Sequence, residues 1–387
     1  MIESLRAEAR QAPESGIVEV VNAARDQKNL IPLWVGEGDL PTPDFICTAA
    51  KASLDAGETF YTHQRGVPDL RQALAEDLQS LYRRPFSPDQ FFVTGSGMQA
   101  MQIAVQCVAG AGDEVVFPSP AWPNLAAAVG IMGARPVPVV MDWNPDGWSL
   151  DLQKLFDAIT PRTRAIYLNS PSNPTGWVAS PHVLKEILEK AQSLGIWIIA
   201  DEVYGRFFYG TGPAAPSFCE LADPDDKILY VNTFSKNWAM TGWRVGWLQA
   251  PPEIGQVIEN LIQYSTSGVP VFSQRAAIAA LSDGKEYLEN QIARARQGRQ
   301  IVVDGLAQSN RVLLSAPEGA FYLFFGIEGL SDSRHAALKL VSETGVGLAP
   351  GSAFGQGGGR FLRLCFARSS NLLAESVSRI ALWANDL

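Results

Sequence analysis

Lys236 has the most unusual surroundings for its type in this sequence. In Asn232-Thr233-Phe234-Ser235-Lys236-Asn237-Trp238-Ala239-Met240 it stands among aromatic and apolar residues with no adjacent acid. Desolvation of that kind favours the neutral amine, and a neutral lysine attacks carbonyl carbon. The competing description is a surface lysine whose stem lies across apolar neighbours. Three further segments place polar groups directly after apolar runs. Asp201 follows Ile196-Trp197-Ile198-Ile199-Ala200 and opens Asp201-Glu202-Val203-Tyr204. A carboxylate there is poorly solvated and calls for a cationic partner, unless it caps a helix or binds a metal. Asn169-Ser170-Pro171-Ser172-Asn173-Pro174-Thr175-Gly176 carries two prolines in one loop. Such a rigid, extended backbone can hold the Asn173 amide over a ligand, or be only a well-made turn. Gly95-Ser96-Gly97-Met98-Gln99-Ala100 leads into a helix-like stretch, where small residues and free N–H groups suit an anion or simply a tight turn.

All four segments follow predicted strands. Phe92-Val93-Thr94, Ala165-Ile166-Tyr167-Leu168, the run ending at Ala200 and Ile228-Leu229-Tyr230-Val231 read as buried strands, as does Glu114-Val115-Val116-Phe117. Ser180 to Leu194 reads as a helix. Ser180 is its N-cap, Pro181 its first turn and Gly195 its C-cap, with Val183, Leu184, Ile187, Leu188 and Ala191 on one face. Buried strands alternating with helices predict a mostly parallel sheet with helices on both faces, and ligands then bind at the carboxyl ends of the strands. From about residue 276 the pattern changes. A polar helix over Lys285–Gln308, strands at Ala320–Phe325 and Phe361–Phe366, and a last helix over Leu372–Leu387 predict a smaller α+β domain. The expected division is 45–275 for the large domain, with 1–44 and 276–387 forming the small one.

The 387 residues carry 47% hydrophobic and 18% charged side chains, the balance of a soluble globular protein of about two domains. With 31 basic against 40 acidic residues the net charge is −9, and no basic tract appears, which argues against nucleic acid or an anionic membrane as partner. The N-terminal Met1–Gln11 lacks an apolar core, so a cytoplasmic location is expected, and Ala121–Met141 is too interrupted to span a membrane. Cys47, Cys107, Cys219 and Cys365 are scattered, and none of His63, His182 and His335 has a second ligand at helical spacing, so neither disulfides nor a metal site are expected.

Taken together, an anion-binding turn, an asparagine, an acid, a tyrosine, a lysine and a following arginine meet the needs of pyridoxal 5′-phosphate: phosphate, aldehyde and pyridinium nitrogen each find a partner. At this point the sequence resembles the class I/II aminotransferases, the fold-type I enzymes of the aspartate aminotransferase superfamily, from about Leu33 to Arg368. The resemblance rests on Ser170–Gly176, Asp201–Tyr204 and Ser235–Gly246 in that order and spacing. It implies that Lys236 forms the Schiff base, that Asp201 pairs with the pyridinium nitrogen, and that Tyr204 and Asn173 bond the ring's phenolic oxygen. It implies a phosphate cup of Ser96, Gly97, Met98, Ser235 and Arg244, with Trp122 stacked on the ring. Arg363 matches the arginine that grips the substrate carboxylate as a fork, with Gly36 beside it. Tyr61 resembles the tyrosine that reaches the phosphate of the other subunit, which implies a homodimer. Gly38 stands where the family has proline, and Tyr264–Pro270 lacks the usual asparagine of a subunit-contact region.

The implied activity is ping-pong transfer of an amino group between an L-amino acid and a 2-oxo acid. Three rivals remain in view: a β-lyase, decarboxylase or cyclase of the same fold, a non-catalytic aminotransferase-like sensor, and a dinucleotide-binding dehydrogenase. The last two lack their sequence marks, a basic helix-turn-helix and Gly-x-Gly-x-x-Gly. Trp34, Trp122 and Trp238 would suit an aromatic or aliphatic substrate side chain, while Arg65 and Arg275 are the candidates for binding a second carboxylate across a subunit boundary.

Overall fold

The computed structural model describes residues 1–387. Its central sheet has seven strands: β1 (Phe91–Thr94), β2 (Glu114–Ser119), β3 (Arg135–Val140), β4 (Thr163–Asn169), β5 (Trp197–Asp201), β6 (Ile228–Thr233) and β7 (Gly246–Gln249). The spatial order is β1-β7-β6-β5-β4-β2-β3. Strand β7 runs antiparallel to both neighbours, and the remaining pairs are parallel. Because β7 is reversed, its first residues lie at the edge where the other strands end.

Alternation along the strands divides the core, since successive side chains leave opposite faces. Val116, Ile166, Ile198 and Ile228 pack on one side with Leu184, Ile187 and Leu188 of the helix Pro181–Leu194. Val115, Ala165, Ile199 and Leu229 pack on the other with Met101, Ala104 and Val105 of helix α1 (Gly97–Val108). The Pro181–Leu194 helix has the predicted caps: Ser180 Oγ accepts from Val183 N at 3.3 Å, and Gly195 closes it in the left-handed conformation.

A second, four-stranded antiparallel sheet includes Tyr322–Ile327 and Phe361–Cys365. The helices Lys285–Leu306 and Ser370–Asn385 lie near their expected positions, each ending two residues earlier than the sequence pattern suggests. Near the N-terminus, Ile31–Pro32 pairs in parallel with Val346–Gly347, and Cys365 N donates to Leu33 O. Trp34 and Gly36 are thereby held beside the second sheet. No helix is long and apolar enough to cross a membrane.

The amino ends of the strands are fastened by charge. The Glu114 carboxylate is buried at the start of β2 and accepts from Arg135 Nη2 at 2.7 Å, Arg162 Nε at 2.8 Å and Thr160 Oγ1 at 2.7 Å. Those bonds, led by the Thr160 hydroxyl and Arg135, hold its carboxyl down at about 2, against an ordinary 4.5. A lowered carboxyl pKa stabilises the fold above the ordinary value, and the gain fades as pH falls toward the folded value. Replacing Glu114→Gln should therefore lower the melting temperature near pH 7 by the equivalent of roughly 1–3 kcal/mol. Thermal scans should show the gap between variant and parent closing as pH drops from 4.5 toward 2. A gap independent of pH would mean that packing, not charge, fastens this edge.

Candidate active site

The carboxyl ends of β1, β2, β4, β5 and β6, with the start of β7, surround a cavity of about 460 Å³ that the second sheet closes from the other side. Gly97, Trp122, Asn173, Asp201, Lys236 and Arg363 all line it. They come from six separate segments of the chain, so only the fold brings them together.

Lys236 follows β6 on a turn and is half-buried. Its Nζ donates to the Gly36 carbonyl at 2.8 Å and stands 5.8 Å from the centre of the Tyr204 ring. Burial, the largest influence, brings its pKa down to about 8; Arg363 and Arg244 push the same way, while Cys365 and Glu37 oppose them. No acid forms an ion pair with this amine. Gly36 has to be glycine, since a methyl there would come within 2.2 Å of the Tyr322 hydroxyl.

Asp201 is the last residue of β5 and is buried. Tyr167, one strand over on the same face, donates its hydroxyl to Asp201 Oδ2 at 2.7 Å, and Val203 N approaches Oδ1 at 3.4 Å. Burial lifts the carboxyl to about 6, with the Tyr167 hydroxyl as the largest opposing influence. Asp201 therefore caps no helix, and no cluster of metal-ligating side chains surrounds it. Glu202 takes the opposite direction and accepts from Ser217 Oγ at 2.8 Å, so only the first acid of the pair enters the cavity.

Arg363 lies in the middle of Phe361–Cys365 and is 3% exposed. Nη1 donates to Asn173 Oδ1 at 2.9 Å, Nη2 to the Trp34 carbonyl, and Nε has no partner. The guanidinium is packed between Tyr322 and Phe354, 4.6 and 4.7 Å from their ring centres. No carboxylate lies within ion-pair distance. A buried cation left in that state is costly unless an anionic ligand completes it. Asn173 is itself fixed, since its N–H donates to Asn169 Oδ1 at 2.7 Å.

At the opposite end, Ser96 caps α1 by accepting from Gln99 N at 3.1 Å, so its hydroxyl oxygen is already engaged. Its backbone holds φ +151°, a conformation glycine favours. The first N–H groups of α1, at Gly97 and Met98, lack partners within the helix and carry its positive dipole. Close packing permits this turn: a Cβ on Gly246 would fall 2.7 Å from Gly97 N. Ser235 lies alongside, accepting from Thr233 Oγ1 at 2.9 Å, and the exposed Arg244 lines the same cavity with no acidic partner. Trp122 forms part of the wall, and Tyr204 is buried with its hydroxyl 2.7 Å from that of Tyr322.

Not every expected residue joins this group. Tyr61 is 94% exposed and lines an adjoining groove of about 1430 Å³, sharing only Glu37, Thr241 and Arg244 with the cavity. Trp238 points away, into the packing between Phe234 and the helix Val271–Asp283. Arg65 is paired with Glu259 at 2.7 Å, and Arg275 with Glu58 and Asp69 at 2.8 and 2.7 Å, so neither is a free cation. Tyr322, in the cavity wall, and Tyr167, whose hydroxyl bonds Asp201, are two polar groups that sequence reading missed. In an apolar strand a tyrosine reads as core, and nothing local marks its hydroxyl.

The protein-family model "Aminotransferase class I and II" matches residues 28–380. A probable aspartate/prephenate aminotransferase of Aquifex aeolicus is 34% identical over 359 residues, covering 91% of this chain and 90% of that protein. Among solved structures, a single mutant of the Thermus thermophilus aspartate aminotransferase superposes with a TM-score of 0.91 at 30% identity, covering 98% of this chain and 99% of the other. The aromatic aminotransferase of Pyrococcus horikoshii gives 0.87 at 31% identity, over 95% and 99%.

The site geometry sets the reactivity of one amine. With its pKa near 8 instead of 10.5, Lys236 should, in protein stripped of any bound carbonyl compound, become reactive toward trinitrobenzenesulfonate with a midpoint close to pH 8. Lys236→Arg should remove that phase and leave the slower surface lysines. A midpoint near 10.5 would place the amine in open water.

Proposed function

Since the chain belongs to the class I and II aminotransferase family, a group of pyridoxal-phosphate-dependent enzymes, we propose that the cavity around Lys236 holds the cofactor and carries out the amino exchange. The reaction moves an amino group between an L-amino acid and a 2-oxo acid. The observation that supports this location is the pairing of a desolvated, unpaired lysine with a buried, cation-less aspartate in one cavity. Both lacks match the cofactor: Lys236 needs an electrophilic carbon and Asp201 a cation. The residues present therefore fit it.

Bound there, pyridoxal 5′-phosphate supplies an aldehyde carbon and, in its protonated ring, an electron sink for the substrate Cα. Asp201 would hold a proton on the ring nitrogen, and Tyr167 fixes the carboxylate that would do so. Tyr204 and Asn173 would bond the ring's phenolic oxygen, and Trp122, also in the cavity wall, would stack on the ring. The N–H groups of Gly97 and Met98, the Ser96 and Ser235 hydroxyls and the Arg244 guanidinium would take the phosphate. Arg363 takes the substrate carboxylate, with its free Nε adding a donor and Gly36 leaving room beside it. Lys236 Nζ would take up the proton from the substrate Cα and give it back along the same path as the amino group is exchanged. The Gly36 carbonyl accepts from the same amine and keeps it near that path.

The same proposal divides the chain into a cofactor domain, 45–275, and a smaller domain of 1–44 with 276–387. It makes the enzyme a homodimer in which Tyr61 reaches the partner's phosphate site. What supports this is a pair of exposed rings lining the groove, Phe60 and Tyr61 at 85 and 94% exposure. A cytoplasmic location is supported by four free cysteines, which suit a reducing compartment.

An absorbance spectrum of the purified protein, from about 300 to 500 nm, tests the core of this reading. A visible band should convert to the shorter-wavelength pyridoxamine form when a donor amino acid is added. Lys236→Ala should lose turnover by on the order of 10³-fold. Arg363→Lys, which keeps the charge but not the fork, should raise KM for the donor by about 10–100-fold and change kcat less. A Lys236→Ala protein as fast as its parent would sink the assignment.

A further inference from the structure

We infer that the substrate side chain bound in this cavity is apolar, so that the enzyme prefers amino acids with aliphatic or aromatic side chains over aspartate and glutamate; this rests on the function proposed above. The likeness to known proteins does not decide the point, because it extends to relatives named for aspartate and for aromatic substrates alike.

Lys236, Asp201, Arg363, Arg244 and Glu37 are the charged residues that line the cavity. Lys236 and Asp201 are committed to the cofactor and Arg363 to the α-carboxylate. Arg244 belongs to the phosphate end, two residues before Gly246, which packs against the Gly97 turn. That leaves Glu37, whose carboxylate accepts from Thr241 Oγ1 at 2.9 Å. Its charge repels a second carboxylate instead of receiving one. The adjoining groove, through which a second copy would approach, offers no help. Arg244 is again its only cation, and its neighbours Arg65 and Arg275 are consumed by their own acids.

The remaining wall is apolar. Helix Gly16–Ala23 presents Ile17, Val18 and Val21 to the cavity, which Val35 and Phe354 also line. Val18 and Val35 stay 51 and 41% exposed, although both face a concave surface. Apolar side chains left open at a cavity mouth gain free energy when an apolar group covers them. A side-chain carboxylate placed there would give up water without finding a cation. The uncharged polar groups of this wall, Ser15 and Asn124, can donate hydrogen bonds but cannot balance a charge. Asn124 is also directed at Met98, its Nδ2 3.6 Å from the sulfur.

The test uses the holoenzyme and two readouts. Steady-state kcat/KM should favour leucine, methionine and phenylalanine over aspartate and glutamate by about 100-fold or more. Equilibrium binding of two unreactive acids, 4-methylpentanoate and succinate, followed by fluorescence of Trp34 and Trp122, should show the same order without turnover. Val18→Lys should narrow the gap, weakening 4-methylpentanoate and strengthening succinate. Aspartate or succinate ahead of its apolar counterpart in the parent enzyme would overturn the inference while leaving amino transfer intact. A cofactor band that no amino acid alters would overturn the proposed function, and this inference with it.

Discussion

Charge left without a partner inside the cavity is the constraint around which the rest of this structure is organised. Arg363 is buried with one nitrogen unbonded, Lys236 is desolvated beside a carbonyl, and Asp201 is buried with only a tyrosine hydroxyl and a distant N–H. Each arrangement is unfavourable alone, because a buried ion needs an opposite charge or several good hydrogen bonds. They persist because each side chain is held from behind. Tyr167 fixes Asp201, Tyr322 and Phe354 clamp Arg363, and Asn169 fixes the Asn173 that Arg363 contacts. Ligand atoms then enter a site already arranged for them, which is the usual origin of electrostatic preorganisation.

The supporting sheet makes that arrangement possible by separating two kinds of end. At the amino ends, Glu114 satisfies both Arg135 and Arg162, and every charge in the group is paired. At the carboxyl ends lie the unsatisfied groups, the Ser96 backbone at φ +151°, and glycines at Gly36 and Gly246 where a side chain would collide. Strain and unpaired charge concentrate at a functional site only where the surrounding structure over-determines them. Here the surrounding structure is two alternating apolar layers, one on each face of the sheet.

Those layers explain what could be read from the sequence. Strands buried on both faces appear as continuous apolar runs, so a polar residue that ends one is conspicuous. Asp201, Asn173 and the Gly95-Ser96-Gly97 turn were all visible on that ground. The Pro181–Leu194 helix was visible to the residue, because its caps are local chemistry. Arg363, Gly36, Trp122 and Tyr61 were reached through resemblance alone. Arg363 sits inside a strand, where no local pattern separates a functional guanidinium from a surface one. Tyr167 and Tyr322 were missed for the converse reason. Each is an aromatic residue in an apolar strand, and its role depends on what the neighbouring strand or sheet places opposite its hydroxyl.

The same distinction bears on specificity. Cofactor chemistry demands particular atoms at particular places, so its residues form short strings that survive as motifs. A side-chain subsite demands only a shape and the presence or absence of charge. Ile17, Val18 and Val21 satisfy such a demand from a short helix far in sequence from Lys236, and any apolar residues of similar size would do as well. The decisive fact about this wall is a missing cation, and the fold is what makes the omission legible. Arg65 and Arg275 are present in the sequence as candidates, and only their partners Glu259, Glu58 and Asp69 remove them. Enzymes built on one fold can therefore keep an identical catalytic centre while their substrates diverge through pairings at its margin.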